Sequence, residues 1–227
     1  MAYLHEAQIA NIVTSYCTCL AGIMPMLFTV ATRPQPARWF FVYFCTLLTG
    51  IPTVYLHANE GDRFASFLDV GSNIVLAWAL QIAVAGDFMP RRRCRTFVLA
   101  STLINAAVVA WLLYEVFAPT KIPIIRFGGF GQFYAGEVAL IANAWVVVFV
   151  FGTNYRRIPH EARPLLLIVI VMFFIGMLLA TAGNSTISFG IFPWHAVWHI
   201  VGAFGFITLW LFNYVRFNCA MSSEESK

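Results

Sequence analysis

Charge is what this sequence has least of. Only 11% of its 227 residues are Asp, Glu, Lys or Arg, against about 25% in a soluble domain. With 60% hydrophobic residues and a mean hydropathy of +0.77, that excludes a soluble globular domain, a disordered chain and a nucleic-acid module. Paired cysteine motifs are missing too. The five cysteines form no C-x-x-C pair, so neither a zinc ribbon nor a disulfide framework is suggested. Cys17, Cys19 and Cys45 lie inside apolar runs, while Cys94 and Cys219 sit beside basic residues at the ends of such runs. Cys94 and Cys219 could be lipidated there, but the favoured reading for each cysteine is a buried, inert thiol. No polar stretch is long enough for a separate soluble domain, and the 127–131 segment, rich in Gly and Phe, lacks the Lys and the strand context of a phosphate-binding loop.

What the chain has instead is long apolar runs. A helix needs about 20 apolar residues to cross a bilayer, and seven runs qualify: 9–31, 38–57, 64–87, 96–117, 132–153, 164–183 and 194–215. Polar or Gly/Pro-rich breaks separate them. The first run lacks a preceding basic segment and a cleavage signal, and is read as a true span. The expected fold is all-α, a polytopic membrane protein whose residues 1–227 form a single seven-transmembrane helix bundle. Eleven of the 14 Lys and Arg residues fall in the breaks after spans 1, 3 and 5 and in the C-terminal segment. The positive-inside rule then puts the N-terminus out and the C-terminus in.

Ionisable groups within spans are costly and are functional candidates by default. His57 ends span 2, Asp69 lies early in span 3, and His195 and His199 open span 7. The topology sets these four in one layer near the extracytoplasmic or lumenal face. His195 and His199 are i and i+4, so they share a helix face about 5–6 Å apart, the spacing of a two-imidazole metal pair. His57 could add a third nitrogen, giving the three-His pattern of a catalytic zinc site with one open position. Asp69 could act as general base on the water, and Thr53, one turn before His57, could orient it. Pro52 is expected to bend span 2 below this point. The bland alternative is that each His is an amphipathic tip at the headgroup level, and that Trp194 and Trp198 are an interfacial belt.

Other polar residues read as peripheral. Glu115 and Glu137 share the outer layer and are expected to be interfacial or to pair with Lys121 or Arg126. Asn59, Glu60 and Asp62 read as solvated loop residues. Asp87 is expected to face the Arg91–Arg95 run, itself read as a topology anchor touching anionic lipid. The sequon at 184–186 lies too near the membrane for use, and His5 and His160 are assigned no role.

With those residues in place, the chain resembles the CREST superfamily of seven-helix membrane hydrolases. That group comprises alkaline ceramidases, progestin/adipoQ receptors, GPI-processing lipid hydrolases and myomaker-like proteins. The matching segments are Thr53-Val-Tyr-Leu-His57, Asp69 and His195-Ala-Val-Trp-His199, the last most like the alkaline ceramidase version. The resemblance covers nearly the whole chain in architecture and about five positions in specific residues. It implies zinc on His57, His195 and His199, with Asp69 holding the attacking water. It also implies hydrolysis of an amide or ester in a ceramide-like or other acyl lipid, inside the bilayer. Thr53 stands where the family has Ser. Residues 1–10 offer only Glu6 in place of the acidic, Trp-containing calcium-binding segment of the alkaline ceramidases, which counts against calcium and against ceramide as substrate. The short loops look closer to the GPI-lipid hydrolase and myomaker-like branch, the alternative resemblance. Two other readings stand beside the hydrolase: a non-enzymatic receptor or remodelling protein of the same fold with a structural metal, and a cation or proton transporter using Glu115, Glu137 and Asp87. The transporter reading is weakened by the lack of a carboxylate near the midplane.

Overall fold

A computed structural model describes residues 2–32, 35–126, 132–182, 188–189 and 192–225. The 127–131 segment, the 184–186 sequon and the side chain of His5 lie outside what is described. Seven α-helices carry the fold: α1 (Ala2–Ala31), α2 (Ala37–Ala58), α3 (Arg63–Phe88), α4 (Arg91–Phe117), α5 (Ala135–Thr153), α6 (Arg163–Ala182) and α7 (Trp194–Glu225). Each contains a segment long and apolar enough to cross a membrane. The only strands among the described residues are two short antiparallel pairs, β1 (Ile125–Arg126) with β2 (Gln132–Phe133), and β3 (Ser188–Phe189) with β4 (Phe192–Pro193).

The chain breaks follow local chemistry. Pro36 and Pro90 stand immediately before α2 and α4, where a residue without an N–H costs nothing and its fixed φ suits the start of a helix. Between α2 and α3, Gly61 takes φ +92°, which a side chain would oppose. Asp62 then caps α3 by accepting from Phe64 N at 2.9 Å. Pro52 does not interrupt α2. Two ends depart from the hydropathy runs. α4 starts at Arg91, so the arginine run forms its first turns. α7 continues well past residue 215, so Arg216 lies inside a helix.

Alternating direction gives the bundle two ends. The end of α2 and the starts of α3 and α7 bring the histidines to one end; the start of α4 brings the arginines to the other. Neighbours run α6, α7, α1, α2, α3, with α4 and α5 both lying on α3. α1 and α2 meet backbone to backbone: a Cβ added at Gly22 would lie 2.3 Å from Leu47 N, and one at Gly50 2.4 Å from Cys19 Sγ. Such small-residue contacts join helices where lipid supplies no hydrophobic push between them.

The larger apolar core fills the arginine half, around Trp39, Tyr43, Val84, Phe151, Leu166 and Phe212. There the structure corrects the expectation for Asp87. Its carboxylate turns away from the Arg91–Arg95 run and accepts from Arg38 Nε (2.7 Å), Arg216 Nη2 (2.6 Å) and Trp39 Nε1 (2.9 Å). The Asp87 and Arg216 side chains are only 4% and 7% exposed. The face of α3 that carries Asp87 meets α2 and α7, and a buried carboxylate must find its partners there. Arg216, counted among the topology signals by sequence, lies 4.4–5.5 Å from four aromatic rings and is part of this cluster. Midway along the bundle, Gln81, Asn143, Asn105 and Ser101 close a ring of hydrogen bonds joining α3, α4 and α5.

Candidate metal centre

The histidine end gathers its three imidazoles into one group. His57 comes from the last turn of α2, and His195 and His199 from the first turns of α7. One ligand atom from each lies within 4.8 Å of the others. Ring centroids are 4.7–5.1 Å apart. His57 and His199 are buried and His195 half-buried, so the open side is at His195. His57 Nε2 and His195 Nε2 are 3.2 Å apart. Two nitrogens bound at about 2.0–2.1 Å to one tetrahedral ion sit about 3.3 Å apart, close to that spacing. A hydrogen bond between two neutral rings has similar length; the third ring, converging on the same point, favours shared coordination.

The residues behind the rings decide which nitrogens are available. His199 Nδ1 lies 3.0 Å from Thr14 Oγ1 and 3.2 Å from Ser15 Oγ, both on α1. Thr14 donates its only hydroxyl proton to Ala10 O (2.8 Å), and Ser15 donates to Asn11 O (2.6 Å). Both oxygens therefore face His199 as acceptors. This assigns the imidazole proton to Nδ1 and leaves Nε2 with a free lone pair. His57 repeats the pattern more loosely, with Nδ1 4.0 Å from Glu60 Oε1, within reach of one bridging water. Gln8 Nε2 donates to His57 O at 3.0 Å and ties α1 to the end of α2. Three imidazoles so gathered, one of them held through its far nitrogen, form a candidate three-histidine metal-binding site.

Asp69 sits one turn deeper. Thr53, a turn from His57 on the same face of α2, donates to Asp69 Oδ1 at 2.5 Å, and its hydroxyl lies 2.9 Å from Thr49 O. Among the described residues no Cys, Asp or Glu joins the three histidines as a fourth ligand. Thr53 and Asp69 thus form a hydroxyl–carboxylate pair beside the imidazoles rather than part of the ligand group.

The other candidates are placed elsewhere. Glu137 caps α5 by accepting from Tyr134 N at 2.8 Å. Glu115 is buried and accepts from Trp111 Nε1 at 3.0 Å. It lines a water-sized cavity of about 20 Å³ with Arg63 and Lys121, with no ion pair to either among the described residues. Trp198 is half-buried. It packs on α6 so tightly that a Cβ at Gly176 would lie 2.2 Å from its ring. Thr14, Ser15, Gln8 and the role of Glu60 were beyond sequence reasoning: hydroxyls in an apolar run are common, and only the docking of α1 on α7 gives them meaning. His160 is exposed in the short turn before α6.

Compared with known proteins, the chain matches no family model, and no curated protein matches it.

Proposed function

We propose that this protein is a zinc-dependent intramembrane hydrolase of acyl lipids, its site facing the extracytoplasmic or lumenal side and its arginine end the cytoplasm. The observation that carries the reading is the convergence of His57, His195 and His199 beside the Thr53–Asp69 pair. A zinc ion held by the three histidines would lower the pKa of water to about 7 and polarise a carbonyl oxygen. The chain's own residues supply the rest. Thr14 and Ser15 fix the tautomer of His199. Thr53 orients the Asp69 carboxylate, which serves as the general base that takes a proton from the attacking water and returns it to the leaving amine or alcohol. The small-residue contact of α1 with α2 holds this arrangement rigid.

The class of substrate follows from the surroundings. The site lies at the end of an apolar bundle, where a lipid's carbonyl sits near the headgroups while its chains remain in hydrocarbon. The lack of a fourth protein ligand among the described residues supports a catalytic rather than a structural metal. The test is release of fatty acid by the purified protein from an N-acyl sphingoid base and from a phospholipid ester, each beside Asp69→Asn. Release from either substrate, lost in the variant, is expected. A metal-loaded protein inert toward both would transfer the site to the structural reading, in which the ion ties α2 to α7.

A further inference from the structure

Four arginines stand outside the cluster in which Arg38 and Arg216 take Asp87. Arg91, Arg92, Arg93 and Arg95 stand exposed in the first turns of α4, and no acidic residue shares the first turn. No ion pair among the described residues involves them. They also sit at the positive end of the helix dipole, the wrong place for cations. The arrangement favours an external anion.

Beside them lies a groove of about 510 Å³ between α4 and α5. Its polar head is formed by Asn154 and Thr153, with Met89 alongside, and its apolar length by Phe97, Phe149 and Trp145. Phe149 and Trp145 are 69% and 52% exposed, so the groove opens sideways. From Asn154 to Trp145 it follows α5 for about 13 Å, close to the roughly 15 Å depth of one leaflet's hydrocarbon. Arg93 is one turn before Phe97, on the same face of α4 as that groove residue. Arg157 reaches the head of the groove through Asn154. Its Nη1 donates to Phe88 O and to Asn154 Oδ1, both at 3.0 Å, which leaves most of its five donors for another acceptor.

From this we infer that the α4–α5 groove is a binding site for an anionic phospholipid. The phosphate lies between Arg93 and Arg157, and one acyl chain runs along Phe149 and Trp145. A zwitterionic lipid fills the same groove but carries its own cation against the arginines, so the charge selects the headgroup. The site lies at the opposite end from the histidines and does not depend on the hydrolase reading.

The test is native mass spectrometry of the detergent-purified protein, titrated in parallel with dioleoyl phosphatidylglycerol and dioleoyl phosphatidylcholine. The wild type is expected to retain the anionic lipid at least about fivefold better. Arg93→Gln with Arg157→Gln should remove the preference while leaving phosphatidylcholine retention unchanged. Arg93→Gln alone, at an exposed position, should weaken it in a protein of unaltered Tm. Val146→Trp, which fills the groove, should reduce retention of both lipids. Equal retention of the two lipids by the wild type would overturn the inference. So would a preference that survives the arginine substitutions, or one that survives Val146→Trp, since that outcome assigns it to diffuse surface charge.

Discussion

The imidazole of His199 is gripped from behind by two hydroxyls whose protons are already committed to the α1 backbone. This makes the centre sensitive to residues that never touch a metal. Thr14→Val combined with Ser15→Ala should weaken zinc binding about 10–100-fold, measured by competition with a chromogenic chelator; unchanged affinity would remove the positioning role. Asp69→Asn should retain the metal and lower hydrolysis about 10²–10⁴-fold, whereas full activity would end its assignment as base. The pair His195 and His199 was legible as an i,i+4 motif, and His57 and Asp69 became legible once helix direction was worked out. Thr14 and Ser15 were not, because a hydroxyl that hydrogen-bonds its own helix looks the same in sequence whether or not an imidazole lies beyond it. Asp87 misled for a related reason: the nearest arginines in sequence are not those its helix face meets.

Helices carry these side chains, and their contacts set how far the site can move. α1 supplies the hydroxyls and Gln8 while touching α2 through Gly22 and Gly50. Gly50→Leu should therefore force the two helices apart at a cost of about 1–3 kcal/mol. A lower Tm and weaker zinc binding in the same variant are expected, and a normal Tm would show that the contact yields without strain. Hydropathy made the seven helices legible, since each buries its backbone polarity within itself. Helix ends were less so. α4 begins directly after Pro90 and takes in the arginines, and α7 carries Arg216 inward because Asp87 and four aromatic rings receive its charge. The ring of Gln81, Asn105, Asn143 and Ser101 escaped notice because uncharged polar residues barely alter a hydropathy run.

Across the whole molecule, the two ends divide the labour. One closes on an apolar core and the Asp87–Arg38–Arg216 cluster; the other holds three imidazoles and a carboxylate, open on the side of His195. Right-side-out sealed vesicles should expose an N-terminal epitope tag to added protease and protect a C-terminal one; the reverse pattern would place the histidines at the cytoplasmic face. Everything proposed for the chemistry rests on whether the imidazoles hold an ion. The most direct measurement is the metal content of the detergent-purified protein by inductively coupled plasma mass spectrometry, beside a His195→Ala/His199→Ala variant. About one zinc per chain in the wild type and none in the variant is the predicted result. A folded wild-type protein without metal, or a variant that retains it, would contradict the account.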